Sequence, residues 1–156
     1  MQVALLTALN SDLEIRNDVS LGDLGPTDVH VKIVSSGVCH SDLSAQNGTL
    51  PTGIPTVLGH EGAGIIQEVG SGVSDLAAGD HVILSFVPAC RKCGPCQRNQ
   101  SYLCARSIEV HTTPHFVLDG NPVMGLTGLG TFSDELITRP KVWPRLPLAS
   151  ACMPAG

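Results

Sequence analysis

Residues 81–104 read HVILSFVPACRKCGPCQRNQSYLC. The opening apolar run, His81 to Phe86, predicts a strand that leads straight into a lobe carrying Cys90, Cys93, Cys96 and Cys104. Four thiolates at C-x2-C-x2-C-x7-C suit a closed tetrahedral Zn²⁺ site, because two residues between cysteines let a tight turn aim both sulfurs at one point. Arg91, Lys92 and Arg98 would partly offset the negative charge of such a quartet. Disulfides between such close neighbours are geometrically awkward. An iron–sulfur cluster is the remaining competitor, although the familiar cluster spacings differ from this one.

The bulk properties frame that lobe. A chain of 156 residues is enough for one domain and one core. Aromatics are only 3%, so Val, Ile, Leu and Ala must fill most of the interior. Seventeen Gly and 11 Pro favour a turn-rich β domain over a helix bundle. A formal charge of −5 argues against a nucleic-acid surface, which needs a net basic face. No apolar run approaches the length of a membrane span. The apolar start, Val3 to Leu9, lacks the basic residues that precede a signal-peptide core. With six cysteines mostly clustered, this points to metal ligation in a reducing, cytoplasmic compartment.

Outward from the lobe, the pattern is β throughout. Val3, Leu5 and Thr7 alternate with Ala4, Leu6 and Ala8 as a well-covered first strand, with residues 13–17 as its partner. Residues 21–28 read as a turn, and Val29, Val31 and Ile33 as a half-buried strand. A short helix opened by Ser41 or Asp42 is expected within residues 39–47. Residues 62–70 form a strand in which Gly64 implies close approach of another backbone. Residues 105–131 are glycine-rich and weakly patterned, with 125–130 expected as a flexible loop, and 132–138 as a last strand. The expected fold is mainly β: an antiparallel, partly closed barrel with short helices and a metal lobe.

A second constellation lies upstream. A catalytic zinc wants about three protein ligands and an open position, and Cys39 and His60 could supply two of them. Asp42 could accept the second ring N–H of His60, fixing its tautomer. Taken singly, a His is more often an ordinary core or surface residue and a buried Cys is usually inert.

The motifs around them decide the matter. GVCHSD at 37–42, GHEGAGIIQEVGSGV at 59–73 and the quartet, in that order, resemble the zinc-containing medium-chain alcohol dehydrogenases over residues 1–138. The resemblance implies a GroES-like catalytic domain with a structural zinc on Cys90, Cys93, Cys96 and Cys104, and a catalytic zinc on Cys39 and His60. It places Glu61 beside that metal as an exchanging ligand, Asp42 behind the histidine, and Ser41 on the alcohol oxygen at the start of a proton relay. His40 falls where relatives carry Arg or His near the cofactor pyrophosphate. Ser44 replaces a histidine that ends the relay in some relatives, a departure that bears on the relay's outer end and not on the metal. A zinc ion lowers the pKa of a bound alcohol, and NAD or NADP would take the hydride. The implied substrate is a small alcohol or carbonyl compound, with homo-oligomer formation also expected.

No G-x-G-x-x-G segment follows the barrel. Residues 139–156 are therefore expected to be an irregular tail, cut short before a nucleotide-binding domain, and the chain alone inactive. Cys152 is the sole downstream candidate for a third zinc ligand, in a context that departs from the family pattern. The alternative function is a non-enzymatic, zinc-stabilised GroES-like interaction module.

Overall fold

The computed structural model describes residues 1–86, 89, 90, 92–139, 142 and 143. Cys152, Pro88 and Arg91 lie outside the described residues, as does nearly all of the expected tail.

The first sheet contains β1 (Val3–Leu6), β2 (Glu14–Arg16), β3 (Ser20–Leu21), β5 (Thr56–Val57), β8 (Phe116–Leu118) and β9 (Asn121–Gly125). Its order is β2-β1-β5-β9-β8-β3. The second contains β4 (Val29–Gly37), β6 (Glu61–Val69), β7 (His81–Leu84), β10 (Glu135–Thr138) and β11 (Val142–Trp143), in the order β10-β4-β6-β7-β11. The long β4–β6 ladder is the backbone of the site, running from Val29↔Val69 to Gly37↔Glu61 with two register shifts. Gly64 sits in it where an added Cβ would strike the carbonyl of Lys32, as its sequence position implies.

The sheets curl into a partly closed barrel because β1 reaches across to the segment before β10. Val3 bridges Ser133, Ala4 N–H donates to Phe132 O at 2.8 Å, and Asp134 N–H to Gln2 O at 3.0 Å. Inside, aliphatic side chains from both sheets surround one aromatic ring, Phe116, with Leu5, Val31 and Leu136 fully buried. Each such side chain contributes roughly 1.5–3 kcal/mol by leaving water. Leu6 points the other way, into a second cluster with Ala45, Leu58 and Leu126. That two-sided burial explains why β1 reads as apolar on both faces.

The second cluster seats α1 (His40–Gln46). Its cap is Cys39, two or three residues before the expected Ser41 or Asp42; Asp42 instead reaches back to the Cys39 N–H at 3.0 Å. At the other end Asn10 N–H donates to Gln46 O at 2.8 Å, tying the helix to the β1–β2 turn.

Three expectations need correction. The barrel is not wholly antiparallel, since β5 and β9 pair in parallel. Residues 105–131 are well structured: they hold α3 (Ser107–His111) and the β8–β9 hairpin. Residues 125–130 are not a free loop; after β9 they form a 3-10 turn, with Leu126 and Leu129 buried.

Candidate metal centres and the cavity beside them

The quartet is assembled by short local turns. Cys93 caps α2 (Gly94–Gln97), where Pro95 suits the first turn because its missing N–H is not needed there. Cys90, Cys93, Cys96 and Cys104 offer sulfurs that all lie within 4.8 Å of one another. Cys93 Sγ is 3.4 Å from Cys96 Sγ and 4.0 Å from Cys104 Sγ. Those separations bracket the ~3.8 Å edge of a tetrahedron with metal–sulfur bonds of about 2.3 Å, and they far exceed a disulfide bond. Backbone N–H groups point at the sulfurs, Cys90 N–H to Cys104 Sγ at 3.2 Å and Cys93 N–H to Cys90 Sγ at 3.3 Å. The amides of Cys96 and Ala105 lower the Cys93 thiol to about 6, so the thiolate is the ready form at neutral pH. Cys90 is lowered as well, chiefly by the Lys92 amide. The donor set fits zinc.

The other constellation also converges. Cys39 stands at the α1 cap, His60 just ahead of β6 and Glu61 at its first position, and their donor atoms lie within 4.8 Å of one another. Asp42 organises this centre. Its Oδ2 accepts the Cys39 N–H, and its Oδ1 accepts the Gly59 N–H at 2.9 Å. The same Oδ1 lies 3.3 Å from His60 Nδ1, close but out of line for a hydrogen bond, so Nδ1 is a buried nitrogen facing a buried carboxylate. That arrangement leaves Nε2 for a metal and puts a carboxylate behind the ring. Gly59 adopts φ +88, and its carbonyl accepts the N–H of Gly130 and Thr131 at 3.2 and 3.0 Å. A Cβ at Gly59 would meet Thr131 Oγ1 and Phe132 Cδ1 at 2.5 Å, so glycine is required twice over.

An open cavity of about 600 Å³ lies over this centre, lined by Cys39, Ser41, His60 and Glu61 together with the apolar Ile83 and Phe86. Phe86 meets the His60 ring edge-on, with centroids 5.0 Å apart. The sequence reading missed Phe86; an aromatic four residues before the first cysteine in an aromatic-poor chain was the available signal. Ser41 Oγ is 3.6 Å from Cys39 Sγ, at the cavity wall. His40 and Ser44 stand apart from the donor trio, bonded to each other through His40 Nδ1 and Ser44 Oγ at 3.3 Å.

This is the architecture of a zinc-holding, GroES-like barrel. Residues 25–147 match the alcohol dehydrogenase GroES-like domain, and the chain belongs to that family, within the zinc-containing medium-chain alcohol dehydrogenases. It is 36% identical to alcohol dehydrogenase B of Mycobacterium tuberculosis over 96% of this chain, but spans only 43% of that relative. A zinc-binding domain protein of the alcohol dehydrogenase type from Burkholderia ambifaria superposes with a TM-score of 0.87 at 26% identity, over 96% of this chain and 42% of that one. Benzyl alcohol dehydrogenase from Acinetobacter calcoaceticus gives 0.80 at 28% identity, over 93% and 41%.

Proposed function

We propose that this chain is the metal-holding, substrate-facing portion of an alcohol dehydrogenase that interconverts small alcohols with aldehydes or ketones, using NAD or NADP. The observation that carries this reading is the convergence of Cys39, His60 and Glu61 under an open, partly apolar cavity. Zinc held there would supply Lewis acidity toward the substrate oxygen. The chain's own residues supply the rest. Cys39 and His60 would hold the metal, and Asp42 holds the cap of α1 and the Gly59 backbone in place beside the His60 ring. Ile83 and Phe86 offer an apolar wall to the substrate's carbon side. Ser41 Oγ takes the hydroxyl proton and hands it outward. Ser44, one turn of α1 beyond Ser41 and bonded to the exposed His40, serves as the next acceptor, and the pair as a contact for a cofactor phosphate.

Residues 1–138 are proposed as the unit that does this, with the hydride acceptor held by a nucleotide-binding partner domain and the assembly working as a homo-oligomer in the cytoplasm. Among the described residues no helix is long and apolar enough to cross a membrane. The family supports the enzymatic reading over a bare interaction module.

Metal analysis tests the centre directly. The chain is expected to hold two zinc ions, with Cys39→Ser losing one and retaining the quartet's. Protein that folds and contains no zinc, or a Cys39→Ser variant with unchanged content, would remove the proposal.

A further inference from the structure

Gly37 ends β4 and pairs with Glu61, the first residue of β6. Cross-strand partners project to the same face, so whatever stands at position 37 shares space with the Glu61 side chain. Gly37 is not among the residues with positive φ, so its backbone does not call for glycine. What calls for it is room. A Cβ at Gly37 would lie 2.6 Å from Glu61 Oε2 and 3.3 Å from Glu61 Cβ, and the three nearest atoms all belong to Glu61. The other ladder glycines differ: at Gly64 the obstacle is the Lys32 backbone, and at Gly62 it is Thr131 and Leu84. The Glu61 carboxylate thus rests over a bare Cα, and in that position it offers an oxygen within 4.8 Å of the Cys39 and His60 donors.

We propose that Gly37 is a positioning residue whose missing side chain is the space that lets the Glu61 carboxylate turn inward and join Cys39 and His60 as a metal donor. The inference rests on the metal centre proposed above. Glu61 is exposed at the strand start, so its alternative is simply to swing into water. A methyl group at position 37 selects that alternative. The severe overlap, with Oε2, is with the far end of a flexible side chain and is relieved by swinging the carboxylate out; the Glu61 Cβ at 3.3 Å needs a further shift of a few tenths of an ångström between the strands. Gly37 therefore sets the reach of Glu61, and with it the strength of the third donor.

Cobalt titration of the 156-residue chain and its Gly37→Ala, Glu61→Gln and double variants provides the test. Thiolate absorption from the quartet should fill identically in all four, and equal denaturant midpoints of the metal-free chains control for the folding of the barrel. Affinity at the Cys39-dependent site should fall about tenfold in Gly37→Ala, the lower end of what loss of a supporting contact produces. It should fall comparably in Glu61→Gln and no further in the double variant, because both changes remove the same donor. A Gly37→Ala variant that binds like the unaltered chain overturns the inference, as does a double variant weaker than Glu61→Gln. An unaltered chain with no Cys39-dependent absorption overturns the metal centre itself, and the inference with it.

Discussion

Asp42 is the residue on which the cavity floor turns. It is buried, and both oxygens are committed to backbone donors on different elements, Cys39 at the α1 cap and Gly59 ahead of β6. Asparagine has the same shape but only one accepting oxygen, so Asp42→Asn forces an amide NH₂ against one of those N–H groups. The expected result is a loss of about 1–3 kcal/mol in denaturant unfolding, and a 10–100-fold loss of metal affinity at the Cys39 site. Unchanged affinity in a folded Asp42→Asn variant would show that the carboxylate does not organise the ligands. The sequence placed Asp42 beside His60, and the structure brings Oδ1 to 3.3 Å from Nδ1, but the expected ring N–H hydrogen bond is not made. The grip of Asp42 on the Gly59 amide was not legible in the sequence, since no side-chain pattern announces a backbone partner.

At the level of elements, two glycines with similar dihedral angles do different work. Gly120 closes the β8–β9 hairpin with φ +74, and an added Cβ there meets nothing within 4 Å. Gly120→Ala should therefore lose only the backbone term, about 1–2 kcal/mol. Gly59 has φ +88 and is walled in by Thr131 and Phe132. Gly59→Ala should lose well over that and release the Cys39-site metal, seen as a lower melting temperature together with loss of one zinc. Equal destabilisation of the two variants would refute the crowding argument. The hairpin also shows where sequence reading stopped short. Asp119-Gly120 between apolar runs is a strong turn signal, and both residues adopt positive φ. Short strands such as β3 and β5, two residues each, carry no period to detect; they exist because neighbours offer them a ladder. β4 and β6 were easier to read: Val29, Val31 and Ile33 alternate with His30 and Lys32 at the start of β4, and β6 holds the apolar Ile65-Ile66 between glycines and a turn.

The molecule as a whole is a barrel with a projecting lobe, and the two respond to acid differently. The barrel is held by burial. The metal-free lobe has a thiol at Cys93 whose folded value, about 6, lies below the usual 9.0. A lowered value favours the folded state fully above pH 9, less as pH falls, and not at all below about 6. Zinc binding should accordingly release no proton from Cys93 at pH 7 to 8, and one more per chain once pH drops through 6. Calorimetry in buffers of different ionisation enthalpy reads that number; a proton release constant from pH 5 to 8 would contradict it. On α3, Arg106 and then Arg139, which donates at 2.8 Å, hold the Glu109 carboxyl well below the usual range and tie α3 to the end of β10. Being exposed, this tie contributes little.

The bridge between Val3 and Ser133 sets an order of events during synthesis. All four quartet ligands lie earlier in the chain than Gly130 to Ser133 and so emerge from the ribosome first, and they need only local turns to meet. The Gly59 carbonyl that aims His60 waits for Gly130 and Thr131, and those wait for a strand partner made at the very start of the chain. Closing so long a loop is slow compared with closing a lobe. A nascent chain can therefore assemble its sulfur quartet early, while the Cys39–His60 pair is brought together only once the two ends of the barrel have met.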